Sequence, residues 1–329
     1  MTKIRIHRFN NELWGRAHLP FFKAFDKYLS NFFEIDVIDY NKDGNTFNGL
    51  ISTINEVSNF GNNPPISDVE YIIENISTGE LKVLSVGEYF NSFVSHFAKS
   101  KTCSKVLLAH FNHTYLYDWM KRERSINCMN KVRPWIFFSF QEYDVEYFRE
   151  VRNTCDTFNE KLFWQGSGID SYRKVIKLLQ DTPYFQPIEP TDNSTYLLKL
   201  ARSKIALSYY MDLDKYVTPF DHQGEFCYRD VEYLSLGVPF IRIEYKDNVY
   251  DPLLPNHHYI SIPREHAHLA YNSKGNEGVK QLILEKYLET VNDIDFLNFI
   301  STNQIVWYKK NIENKFELTF NLLELKEWI

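Results

Sequence analysis

The stretch Gly224-Glu225-Phe226-Cys227-Tyr228-Arg229-Asp230-Val231-Glu232 runs directly into Tyr233-Leu234-Ser235-Leu236-Gly237-Val238-Pro239-Phe240-Ile241. Its punctuation reads as a Gly-led loop, a short helix, a Gly stop and a buried strand. A helix N-terminus after a loop offers backbone N–H groups and the positive end of a dipole, which suits a phosphate. Arg229 adds a planar, permanently charged fork for phosphate oxygens. Glu232, three residues on, is placed to accept hydrogen bonds from a ribose. A nucleotide with a sugar attached satisfies all three. The plainer reading is a surface helix on which Arg229 pairs with Glu225 or Glu232 for a few tenths of a kcal/mol.

A second constellation lies upstream. Lys161-Leu162-Phe163-Trp164-Gln165 reads as a short strand that ends at Gly166-Ser167-Gly168, with Arg173 on the helix expected over 172–179. Small residues at such a turn let a phosphate or sugar approach the backbone. Arg173 is within reach of a diphosphate there, and a bare strand-to-helix turn fits equally well. The strand Lys204 to Ser208 should bring Ser208, Tyr209 and Tyr210 to the border of a base or sugar pocket.

The elements that must position these groups are those of an α/β protein. Strand 3–9, a helix over about 20–32 carrying Phe21, Phe25, Leu29 and Phe32, and strand 35–40 make a βαβ unit and hence a parallel sheet. Pro20 suits a first helical turn, which leaves Asn10 to Arg16 as a loop. A hairpin is expected between 71–73 and 81–84 around Ser77-Thr78-Gly79-Glu80, then a helix over 89–98 and strands at 105–109 and 134–140. A helix over about 145–154 closes the first half. The second half repeats the α/β pattern, with strands at 238–243 and 258–262. The final segment sets Ile305, Ile312, Phe316, Phe320 and Leu323 on one side of a helix. The expected domains are 1–157, 158–304 and a C-terminal crossing helix 305–329.

Composition agrees with a globular protein of two cores: 329 residues with 44% hydrophobic content. A net charge of −6 argues against a general nucleic-acid binder. Cys103, Cys128, Cys155 and Cys227 form no CxxC pair, so free thiols in a reducing compartment are expected. No signal peptide and no apolar run of membrane-spanning length is visible, and a cytoplasmic location is the expectation.

Phe163-Trp164-Gln165-Gly166-Ser167 with Arg173, Leu197 to Ser208, and Cys227 to Glu232 followed by Leu236-Gly237-Val238-Pro239-Phe240-Ile241 resemble the donor domain of GT-B glycosyltransferases. The segment, roughly residues 160 to 262, is most similar to the exostosin-like and protein O-glucosyltransferase-like branch. Trp164 stands where that branch has Phe, and Tyr228 where it has Ser. Glu225 and Glu232 are separated by six residues, one fewer than in its two-glutamate retaining relatives.

The resemblance implies two facing Rossmann-like domains, with a C-terminal helix packing back across the cleft. It implies no cofactor, a UDP- or GDP-type nucleotide-diphosphate sugar as donor, and a glycan or glycoconjugate hydroxyl as acceptor. The donor-binding set is Gly166, Ser167, Arg173, Ser208, Gly224, Glu225, Tyr228, Arg229 and Glu232. Arg229 is matched to the diphosphate and Glu232 to the ribose. A catalytic base is expected from first-half loops, where Glu12, His110 and His113 sit, although a loop His is more often an ordinary surface residue. Trp14 serves as a sugar platform or as a packing anchor.

Asp212-Leu213-Asp214 and Asp293-Ile294-Asp295 match a metal-binding DxD pattern short enough to arise by chance. Both are read as surface acidic pairs, and no metal is expected. The alternatives are a nucleotide-sugar epimerase or hydrolase of the same fold, and a non-catalytic nucleotide-sugar-binding module.

Overall fold

The computed structural model describes residues 1–9, 12–40, 70–85, 92–108, 120–121, 124–135, 144–166, 169–189, 191–210, 212–213, 228–244 and 253–329. The chain forms two compact units, one of residues 1–142 with 314–329 and one of residues 143–313. Residues 143–157, the last 15 of the expected first domain 1–157, thus go with the second unit, and only 314–329 of the expected C-terminal segment 305–329 go with the first.

Unit 1 holds β1 (Thr2–Phe9), α1 (Glu12–Leu29), β2 (Phe33–Tyr40), β3 (Glu70–Asn75), β4 (Leu81–Ser85), α2 (Ser92–Lys99), β5 (Cys103–Leu108) and β6 (Val132–Pro134). The strands form one sheet in the order β2-β1-β3-β4-β5-β6. β1 pairs with β2 in parallel, with Ile4 opposite Ile35, as the βαβ pattern predicts. The sheet is nevertheless mixed, because β3 runs antiparallel to both β1 and β4. The cause is local: the turn after Asn75, whose side chain accepts from Ser77 N at 3.0 Å and Thr78 N at 3.3 Å, is far too short for a crossover. β4, β5 and β6 are again parallel.

Helix α1 starts at Glu12, not near Pro20, so residues 12–16 are helical and Pro20 lies inside the helix. A proline there forfeits one backbone bond. The burial of Phe21, Phe22, Phe25 and Leu29, with Phe22 and Phe25 against the Tyr71 ring at 4.8 and 5.8 Å, outweighs that loss. The expected strand 134–140 is described only to its first residues, since β6 is Val132–Pro134 and 136–140 lie outside the described residues.

The C-terminal α11 (Lys315–Leu322) and a 3-10 turn (Leu325–Trp328) complete this unit. Phe316 stacks on Phe21 with centroids 5.4 Å apart, Phe320 lies 4.9 Å from Phe32, and Lys105 Nζ meets Glu324 at 2.8 Å.

Unit 2 holds α3 (Val145–Asn153), α4 (Ile169–Tyr172), α5 (Lys174–Gln180), α6 (Asn193–Ala201), β7 (Ala206–Ser208), α7 (Tyr228–Leu236), β8 (Phe240–Ile243) and β9 (Ile260–Ile262). It continues with α8 (Arg264–Lys274), α9 (Asn276–Thr290) and α10 (Ile294–Tyr308), which ends in a π-turn at Lys309–Glu313 rather than running on as one helix. β7, β8 and β9 are all parallel. The expected strand 161–165 contributes parallel bridges only, Phe163 to Ala206 and Leu162 to Phe185, which widen the sheet. The helix expected over 172–179 is two helices broken at Arg173, whose φ of −133° is not helical.

Helix α7 ends at Gly237 with φ +65°, as the Gly stop predicts. A Cβ there would stand 2.8 Å from Ile305 Cδ1 and Ser301 Oγ of α10, so only Gly allows α10 to pack this closely. Among the described residues no helix is long and apolar enough to cross a membrane.

Candidate functional site

In a parallel sheet each helix returns the chain to the amino end, so loops and helix N-termini gather at the carboxyl ends of the strands. In unit 2 this brings together the segment after Phe163, the segment after Ser208, the break before α5 and the start of α7.

Trp164 organises these pieces. Its ring is 1% exposed, and its Nε1 donates to the Tyr209 carbonyl at 3.2 Å. Two guanidinium groups lie against it: Arg229 at 4.9 Å and Arg173 at 5.6 Å from the ring centroid. Each is also tied by its Nε to a backbone carbonyl at a strand end. Arg229 donates to Gln165 O at 2.8 Å and Arg173 to Tyr210 O at 2.6 Å. A guanidinium stacked on an aromatic face gains of order 0.5–2 kcal/mol, most when desolvated. An Nε bond to a carbonyl leaves the fork's orientation set by the backbone. Gly166 completes the arrangement. A Cβ at this position would run into Arg229 Nη2 and into Trp164 Cη2 and Cζ2, the latter two at 2.8 and 2.9 Å. The small residue is thus required by the close approach of Arg229, a guanidinium-accommodating role beside the ligand-accommodating one expected for it.

Glu232 lies one turn along α7 from Arg229, and its Oε2 accepts from the Tyr196 hydroxyl at 2.5 Å. Burial first, and then the Glu232 charge, push the Tyr196 hydroxyl well above its ordinary pKa, so it stays a donor. Phe163 packs on Tyr196 with centroids 5.8 Å apart, which holds the donor in place. A ribose at Glu232 would share the carboxylate with Tyr196.

Ser208 is placed differently from its expected position on a pocket wall. It is 2% exposed, its hydroxyl donates to Asp230, and Arg242 Nη1 donates to its Oγ at 2.6 Å. Arg242 also meets Asp230 Oδ2 at 3.0 Å, and both are buried. This buried network lies under the N-terminal turn of α7 and ties it to β7 and β8.

Asp212, read from sequence as half of a surface acidic pair, is wholly buried. Its carboxylate accepts from Lys174 N at 2.6 Å and Val175 N at 3.1 Å, the first amides of α5. Asp293 is exposed and caps α10 by accepting from Phe296 N at 3.0 Å. Among the described residues no group of three or more His, Cys, Asp or Glu is arranged to hold a metal.

The structure therefore brings Gly166, Arg173, Arg229 and Glu232 to one end of the unit 2 sheet. Tyr228 opens α7, and Glu12 opens α1 in unit 1, each described by its backbone alone. Ser167, Gly224, Glu225, His110 and His113 lie outside the described residues. Sequence reasoning missed Trp164 as the common platform, Tyr196 as the partner of Glu232, and Asp212 as a helix cap. Only the Trp had a signal, its place in the turn before Gly166. The other two act on residues more than thirty positions away in sequence.

No family model and no curated protein matches the chain. Among solved structures it is similar to a glycosyltransferase from Rickettsia africae ESF-5, at 13% identity over 74% of this chain and 68% of that one, with a TM-score of 0.46.

Proposed function

We propose that unit 2 binds a nucleotide-diphosphate sugar and that the protein is a glycosyltransferase acting on a hydroxyl of a glycan or glycoconjugate. The observation that carries this reading is the pair of guanidinium groups, Arg173 and Arg229, held on one indole at the carboxyl end of a parallel sheet. Two fixed positive forks suit the two charged groups of a diphosphate, and Glu232 suits a ribose beyond it. The sequence resemblance over residues 160–262 points to the same ligand.

In the transfer, the acceptor hydroxyl attacks the anomeric carbon, the bond to the diphosphate oxygen breaks, and the hydroxyl proton passes to a base. The diphosphate departs with both electrons of that bond. Arg173 and Arg229 stabilise the charge that develops on it, so no metal is required for leaving-group departure. Glu12, His110 and His113 are the proposed bases.

A panel of UDP- and GDP-sugars screened by thermal shift tests binding, since a ligand of the folded state raises the melting temperature. Acceptor-dependent release of nucleoside diphosphate then tests transfer. Epimer formation from donor alone, or binding without turnover, would replace transfer by one of the two alternative activities. No shift with any nucleotide sugar would overturn the reading.

A further inference from the structure

Tyr210 and Asp212, which follow β7, hold Arg173 from two sides. The carbonyl of Tyr210 takes its Nε at 2.6 Å, and Asp212 takes the two amides that follow it, Lys174 N at 2.6 Å and Val175 N at 3.1 Å. Arg173 itself is the non-helical residue on which α5 begins. Asp212 is in turn oriented by the Tyr209 hydroxyl, 3.1 Å from its Oδ1, and the Tyr209 carbonyl holds the Trp164 indole against which Arg173 lies.

We propose that Asp212 is a positioning residue for an anion-binding Arg173, through its capture of the α5 amides. The inference rests on the reading of unit 2 as a nucleotide-diphosphate site. A buried carboxylate close to an anion site opposes the ligand by like-charge repulsion. Here that carboxylate is spent on the amides of α5, so the protein supplies its own anion to this helix start and leaves the ligand's charge to the arginines. Asp212 matters because it fixes the backbone from which Arg173 projects.

The test is a double-mutant cycle on the full chain, read by calorimetric titration with UDP and with inorganic pyrophosphate. Arg173→Ala is expected to weaken binding about 10- to 100-fold. Asp212→Asn keeps one acceptor oxygen and is expected to weaken it about 3- to 10-fold. In the double variant the loss should equal that of Arg173→Ala alone, because Asp212 acts through Arg173. Losses that multiply, or an Asp212→Asn protein that binds both probes as the wild type does, overturn the inference.

Should Asp212→Asn fail to fold, Tyr209→Phe replaces it in the same cycle, with a smaller loss expected and the same two overturning results. Wild-type binding that Arg229→Ala abolishes, with Asp212→Asn unaffected, removes this inference and keeps the diphosphate reading. No wild-type binding to either probe removes both.

Discussion

Arg229 Nε donates to the carbonyl oxygen of Gln165 at 2.8 Å, tying the second residue of a helix to a strand end 64 positions earlier. The bond fixes where the rest of the guanidinium lies, and the Trp164 ring at 4.9 Å fixes its plane. Arg229→Lys keeps the charge but loses both constraints, because an ammonium has neither Nε nor a planar face. Affinity for UDP should fall about 10-fold or more in calorimetry, with the melting temperature nearly unchanged. Equal affinity in the two proteins would mean that charge alone matters.

Gly166→Ala puts a methyl into space held by Arg229 Nη2 and the Trp164 ring. The guanidinium can move aside only by giving up its Nε bond to Gln165, and the buried indole has no room to move. The substitution should cost about 1–3 kcal/mol in urea unfolding. It should also weaken nucleoside diphosphate binding more than an alanine at any exposed position of α5, such as Lys177. A protein with wild-type affinity would show that the Arg229 position is irrelevant to the ligand.

Asp230 and Arg242 form a buried ion pair at 3.0 Å with Ser208 between them. Asp230→Ala removes the carboxylate that faces a buried guanidinium and should destabilise by about 3–5 kcal/mol. The double variant Asp230→Ala with Arg242→Met removes both charges and should cost less than the single one. Denaturant midpoints for the three proteins check the order.

In unit 1, Asp26 accepts from the Tyr71 hydroxyl at 2.5 Å and from Arg8 Nη1 at 2.7 Å. Burial is the larger influence and raises its pKa from 3.8 to about 6, with Tyr71 and Arg8 offsetting it in part. A carboxyl whose folded-state pKa lies above its unfolded value holds its proton more tightly when folded. Its contribution is fully present below pH 3.8 and is lost as pH rises through 6. The shift corresponds to about 3 kcal/mol over that window. Asp26→Asn does not titrate, so the stability difference between wild type and variant should change in the variant's favour between pH 4 and pH 6. A pH-independent difference in melting temperature would exclude the effect.

Features that depend on neighbours in sequence were legible in it. The hydrophobic pattern of β1 and β2, the Asn75 turn between β3 and β4, and the helix–Gly237–strand unit are written in side-chain period and turn chemistry. Each involves residues within one or two turns of one another. The same locality placed Arg229 and Glu232 on one helix.

What only the tertiary structure decided is which distant groups meet. The sequence shows β3 and β4 as a hairpin but not the antiparallel place of β3 beside β1, which follows from sheet pairing. It shows Ser208 at a strand end but not the Arg242–Asp230 pair that draws it inside. It shows Asp212 as half of an acidic pair expected at the surface, whereas its α5 amide partner is supplied from 38 positions away. Buried polar groups must find partners, and the fold alone brings those partners within hydrogen-bond reach.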